Sequence, residues 1–187
     1  MCIRDRRKIL TAAHCTCGQN ATRFWIMVGA TQRYSSQGRW YNIVRKYEYP
    51  NYLAQRNCRL VRADDIAILE TANDIVFDDK AQPIEVEFNR INDQTDVINM
   101  GFGSDGRNSG VLKYVRNRAW NCPMTGGTML CSSRRESSVY FGDSGGPIVT
   151  CSDPRRPCRQ IGVNSGIGGY SFYTSTNVQA NFIQKYM

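Results

Sequence analysis

The chain has 187 residues, 41 % of them hydrophobic, and carries 24 Lys and Arg against 16 Asp and Glu, a net charge of +8. That length and apolar content suit one large or two small folded cores, and no apolar run is long enough to span a membrane. The basic residues are dispersed, with short clusters only around Arg4–Lys8 and at Arg155-Arg156. No nucleic-acid motif accompanies them and they do not gather into a patch, which argues against nucleic-acid binding and against a basic glycan-binding or adhesion module. Eight cysteines point to disulfides and an oxidising compartment, hence to a secreted protein. The sequon Asn20-Ala21-Thr22 agrees with secretion. The opening Met1-Cys2-Ile3-Arg4-Asp5-Arg6-Arg7 has no apolar centre, does not read as a signal peptide, and is expected to lie outside the fold.

Sixteen glycines, ten tyrosines and short runs rich in Val, Ile and Thr indicate an all-β protein. In chain order, Lys8-Ile9-Leu10 leads to the single histidine, His14. Phe24–Val28 reads as a strand covered on both faces, and Trp40–Val44 as another. Leu53–Ala63 is polar and reads as a surface loop. Ile66–Leu69 is the next strand, and Ile75–Val86 a connection. Val97–Met100, Val111–Val115 and Met129-Leu130 follow as strands. Ile148-Val149 and Ile161–Val163 flank a turn rich in Pro and Arg, which predicts a hairpin. Phe172–Thr174 is the last strand. Val178, Phe182, Ile183 and Tyr186 recur at helical spacing, so residues 177–187 should form a closing helix.

The chemistry concentrates in Gly142-Asp143-Ser144-Gly145-Gly146-Pro147. Glycines on both sides of Ser144 let the chain turn sharply and present backbone N–H groups beside the hydroxyl. A serine nucleophile needs a base for its proton and donors for the developing oxyanion. The base has one candidate, His14, in Thr11-Ala12-Ala13-His14-Cys15. A carboxylate to orient that imidazole is best supplied by Asp65, which leads into Ile66-Ala67-Ile68-Leu69, with Asp64 beside it the alternative. Gly142-x-Ser144-x-Gly146 also fits a nucleophile elbow, but that fold needs its histidine after the serine, and none follows Ser144. An acid-first order leaves only Asp5. His14, Cys15 and Cys17 are not completed to a tetrahedral metal set by a second cluster, so neither metal nor other cofactor is expected.

Thr-Ala-Ala-His-Cys, Asp-Ile-Ala-Ile-Leu and Gly-Asp-Ser-Gly-Gly-Pro, in that order, resemble the chymotrypsin-like (trypsin-fold) serine proteases, and the likeness covers nearly the whole chain from Lys8. It implies two packed six-stranded antiparallel β-barrels with a C-terminal helix, the first barrel incomplete here. The implied division is 8–78 for the first barrel, 79–96 for the connection, 97–175 for the second barrel and 176–187 for the helix. It implies a secreted, monomeric serine endopeptidase acting on protein or peptide substrates, with protein protease inhibitors as further partners. The alternative is a catalytically inactive homologue that serves as a secreted binding protein or cofactor.

In the roles this family provides, Ser144 is nucleophile, His14 general base and then acid, and Asp65 the carboxylate that fixes the imidazole tautomer. The backbone N–H groups of Gly142 and Ser144 are the oxyanion donors, each worth about 3 kcal/mol in the transition state. In the family a freed N-terminal amine pairs with the acid at Asp143. The position six before the nucleophile, Ser138, falls at the base of the specificity pocket. A neutral serine there implies apolar or aromatic rather than trypsin-like specificity. Gly166 and Ser171 fall on the pocket walls when Asn164-Ser165-Gly166 is set against the family's Ser-Trp-Gly. The likeness implies a Cys122–Cys131 bridge. Cys151–Cys158 and Cys17–Cys58 are further pairings suggested by position, and Cys15 would pair outside the chain or with Cys2.

Overall fold

The computed structural model describes residues 2–3, 5–53, 58, 61–104, 110–134, 139–151 and 157–187. The chain folds as two β-sheet units. The first uses β1 (Cys2–Ile3), β2 (Lys8–Thr11), β3 (Trp25–Val28), β4 (Arg39–Glu48) and, after the one-turn helix α1 (Pro50–Leu53), β5 (Ala67–Thr71). They lie in the order β1-β2-β5-β4-β3, an open half-barrel. β6 (Glu85–Val86) then crosses to the second unit, formed by β7 (Thr95–Gly101), β8 (Lys113–Asn121), β9 (Met129–Ser132), β10 (Pro147–Thr150), β11 (Arg159–Ile167) and β12 (Ser171–Ser175). Six of these close a barrel through the β10–β11 pairing, and β6 adds to β11 in parallel. The chain ends in α2 (Ala180–Tyr186). The all-β reading, with its incomplete first barrel and closing helix, is what the structure shows.

Three apolar clusters follow the two-residue alternation of the strands. Ile9, Ile26, Val28, Ile43 and Leu69 fill the first unit. Val97, Ala119, Leu130, Ile148, Ile161 and Tyr173 fill the second. Leu10, Ile66 and Ile68 from the first unit meet Val163 of the second and Phe182 and Ile183 of α2 in a third cluster. The segments that carry His14, Asp65 and Ser144 sit at the edge of that joint. Its apolar packing therefore fixes the relative position of His14, Asp65 and Ser144.

Several local expectations change. The opening residues are part of the fold: β1 pairs antiparallel with β2, and Asp5 Oδ1 accepts the Arg7 and Lys8 N–H groups at 2.7 and 2.8 Å to close the turn. β3 is covered on one face only, because its outward Trp25 is 57 % exposed. β8 starts later and runs longer than expected. Residues 110–112 are held instead by the first unit, through Arg33 N–H to Gly110 O and Leu112 N–H to Thr31 O at 2.7 Å. Its outward Tyr114, Arg116 and Arg118 masked the alternation. The helix begins at Ala180, because Thr176 and Asn177 direct their side chains to Glu87 O and Phe88 O rather than into a helical turn.

The bridges Cys17–Cys58 and Cys151–Cys158 are formed. The first ties the loop after His14 to the loop before Asp65. The expected Cys122–Cys131 bridge is not formed. Both are buried thiols. Cys131 lies opposite Trp120 in the β8–β9 ladder, and the Cys122 thiol sits against it in the same buried cluster. Burial, with the adjacent Cys122, pushes the Cys131 thiol up. The Cys2 alternative for Cys15 involves a side chain outside the described residues.

Truncation at the joint should be costly. Leu10→Ala removes a fully buried side chain and should lower the unfolding free energy by about 2–5 kcal/mol in urea denaturation. Tyr114→Ala, on the outer face of β8, should stay within about 0.5 kcal/mol of wild type. Equal effects of the two substitutions would contradict this account of the core.

Candidate active site

β2 ends at Thr11 and the chain turns through a short 3-10 segment, Ala13–Cys15, which presents His14 at the joint. Asp65 lies just before β5 and is fully buried. Its carboxylate accepts the His14 backbone N–H on Oδ1 at 2.8 Å and faces His14 Nδ1 from Oδ2 at 2.7 Å. A third donor comes from the second unit: Ser165 Oγ on β11 donates to Asp65 Oδ2 at 2.6 Å. The backbone there is held by Thr174 Oγ1 donating to Asp65 O at 2.9 Å and Gln179 Nε2 donating to Ala63 O at 2.7 Å. Asp64 instead takes both ends of the Arg62 guanidinium at 2.8 and 2.9 Å. Of the two neighbouring acids, Asp65 is therefore the one against the imidazole.

Burial alone would lower the His14 pKa. The hydrogen bond to Asp65, contact with Cys15 and the charges of both groups more than offset burial and raise it from 6.5 to about 10. The Cys15 contact is direct, with Sγ 3.6 Å from Nε2. Because the folded pKa is raised, the charged pair contributes stability fully below pH 6.5 and loses it as the pH climbs through about 10. A general base must be neutral, so the same titration converts His14 into a working base as the pH rises.

The loop that carries Ser144 is held from two sides. Asp143 Oδ1 accepts the Gly103 N–H and Oδ2 the Tyr140 N–H, each at 2.9 Å. A Cβ on Gly101 or Gly103 would collide with that carboxylate, which explains the glycines of Gly101-Phe102-Gly103. Gly142 and Gly145 take φ of +96° and +73°, the left-handed region that favours glycine. At Gly145 a Cβ would also collide with Thr11 Oγ1 of β2, so the loop sits directly on the strand that leads to His14. Ser144 is exposed, and among the described residues neither its hydroxyl nor the N–H groups of Gly142 and Ser144 are engaged in hydrogen bonds.

His14, Ser144, Ser165 and Gly166 border one cavity of about 460 Å³, together with Val61, Val139, Tyr140, Phe141, Asp143, Asn164 and Ile167. Tyr140 and Phe141 pack edge to face, 5.2 Å between centroids, as an exposed aromatic lip. Val61 closes over Gly166 so tightly that a Cβ there would collide with it. Ser171 is buried opposite Ile167 and does not border this cavity. Ser138 lies outside the described residues. Ser165 escaped the sequence reading. Setting Asn164-Ser165-Gly166 against Ser-Trp-Gly put Asn164 at the serine position, whereas it is Ser165 that reaches Asp65. The signal was a one-residue offset, next to a register shift between Asn164 and Gly166 in the β11–β12 ladder.

A family model described as Trypsin matches residues 2–183. The chain is 31 % identical over 203 residues to "Trypsin, alkaline C" of Manduca sexta, covering 94 % of this chain and 77 % of that protein. It is 33 % identical over 166 residues to "Trypsin, alkaline B" of the same organism, covering 78 % and 62 %. It is 26 % identical over 180 residues to "Venom serine protease 34" of Apis mellifera, covering 86 % of this chain and 44 % of that protein. The chain thus spans less than two thirds of the latter two.

With one histidine in the sequence, the imidazole NMR signal needs no assignment. It should titrate well above 6.5, near 10, and Asp65→Asn should bring it down, since burial then acts with less opposition. A wild-type midpoint below 6.5 would contradict the pairing described.

Proposed function

The chain belongs to the trypsin family of chymotrypsin-like serine endopeptidases, and we propose that it cleaves peptide bonds through an acyl-enzyme on Ser144, with His14 as base and Asp65 as the carboxylate that orients it. The observation that carries this reading is the buried Asp65–His14 pair opening onto the cavity that Ser144 borders. In the proposed cycle the imidazole turns its Nε2 from Cys15 to Ser144 and takes the hydroxyl proton as Oγ attacks the scissile carbonyl. The oxyanion is received by the N–H groups of Gly142 and Ser144. His14 then delivers the proton to the leaving amine, and water repeats the sequence to release the acid. Asp65, aided by Ser165, holds Nδ1 as donor and stabilises the imidazolium.

Substrates are proteins or peptides. Neutral Ser138, where the family's pocket base falls, supports a specificity that is not trypsin-like, with Gly166 as a proposed pocket wall. The formed disulfides support a secreted protein, with protein protease inhibitors as partners of a monomer.

A second reading, an inactive homologue acting as a binding protein, is favoured by one observation: Nε2 faces the Cys15 thiol, and Ser144 Oγ has no hydrogen bond among the described residues. Apo sites often tighten only with substrate, so the catalytic reading stands first.

Reaction of the activated protein with a fluorophosphonate probe separates the two. Covalent labelling at Ser144, lost in His14→Ala and faster as the pH rises from 6 to 9, is expected. A folded, activated protein that takes up no probe would favour the binding homologue.

A further inference from the structure

Asn20-Ala21-Thr22 is the only Asn-x-Ser/Thr sequence in the chain, and the proposed chemistry makes no use of it. It lies between the segment of His14 and β3, where Asn20 stands at the head of a three-residue 3-10 turn, Ala21–Arg23. Asn20 and Thr22 are both exposed, and neither borders the cavity of His14 and Ser144.

Both polar side chains of this sequon are uncommitted. An asparagine at the head of a helical turn ordinarily folds its side-chain oxygen back onto a backbone N–H. Asn20 makes no such bond. Its backbone is extended, at φ −71° and ψ 144°, and its backbone oxygen alone is used, accepting the Arg23 N–H at 3.1 Å. Asn121, Asn164 and Asn177 behave otherwise, each donating Nδ2 to a backbone oxygen at 2.9, 3.0 and 2.7 Å. Threonines of the other short turns close on the chain too, Thr16 on Ala13 O at 3.2 Å and Thr125 on Cys122 O at 3.0 Å. Thr22 Oγ1 has no hydrogen bond among the described residues. The amide and the hydroxyl of the sequon are therefore both left to solvent.

A second observation comes from the same loop. Cys17, three positions before Asn20, is bridged to Cys58. Such bridges form in the oxidising secretory compartment, where glycans are also attached to asparagine in Asn-x-Ser/Thr.

We infer that Asn20 is a site of asparagine-linked glycosylation, carrying an oligosaccharide through N-acetylglucosamine. This rests on the secreted reading above. The donor is an oligosaccharide linked to a lipid pyrophosphate. Nδ2 bonds to C1 of its first sugar, the C1–O bond to the pyrophosphate breaks, Nδ2 gives up one proton and the lipid pyrophosphate leaves. The hydrated, bulky glycan stands beside the Cys17–Cys58 tie and outside the cleft, so it leaves Ser144 accessible.

Expression in a mammalian cell line behind a secretion signal tests this, read by peptide:N-glycosidase digestion and peptide mapping. The digestion should lower the apparent mass in one step and leave aspartate at position 20. Asn20→Gln and Thr22→Ala should each abolish that step, and Thr22→Ser should keep it. Protein in the medium with Asn20 unmodified would overturn the assignment, and so would a step that survives in Asn20→Gln. The wild-type map stands even if a variant misfolds. The same map reads Cys17 and Cys58. A formed bridge beside a bare Asn20 overturns the glycan site alone, whereas free thiols at both positions beside a bare Asn20 overturn the secreted reading and this assignment together.

Discussion

The carboxylate of Asp65 has no contact with solvent, and donors from both halves of the molecule converge on it. An ionised carboxylate taken out of water costs several kcal/mol unless its hydrogen-bonding capacity is met. Here two donors come from His14 in the first unit and one from Ser165 in the second. The carboxylate is therefore satisfied only when the half-barrel and the closed barrel are docked. The same docking places the imidazole over the cavity and brings the glycine loop against Thr11. Fold and chemistry share one constraint: an anion that must be enclosed, and the donors that enclose it.

The loop that carries Ser144 answers a matching constraint of shape. Two glycines with positive φ, a carboxylate at Asp143 anchored to backbone donors, and Asn164 bonding the loop three times leave Ser144 exposed on a rigid support. The side chains projecting from this support are unusual neighbours for a narrow pocket. Tyr140 and Phe141 form an aromatic lip, and Val61 fills the space above Gly166. Among the described residues the cleft mixes polar His14, Ser144, Asn164 and Ser165 with apolar Val61, Val139 and Ile167.

Much of this was legible in the sequence because it rests on short contiguous runs. A glycine-serine-glycine turn, a histidine at the end of an apolar strand and an acid opening another each declare themselves locally. Short apolar runs marked β2, β5, β7 and β11. What stayed hidden depends on contacts between distant residues. Ser165 matters because a register shift in β11–β12 turns it toward a carboxylate 100 positions away. Cys122 and Cys131 meet as buried thiols rather than as a bridge, which spacing alone does not reveal. Trp25 reads as core by composition and is exposed because its strand buries only one face.

If enclosure of Asp65 is what joins the two units, removing the carboxylate should weaken the whole fold and not merely the chemistry. Equilibrium urea unfolding of Asp65→Ala against wild type tests this most directly. His14 and Ser165 would be left with donors and no acceptor, so the unfolding free energy should fall by about 3 kcal/mol, the scale of breaking a buried ion pair. Stability within about 0.5 kcal/mol of wild type would show that the joint is held by its apolar cluster alone and that Asp65 serves only the histidine.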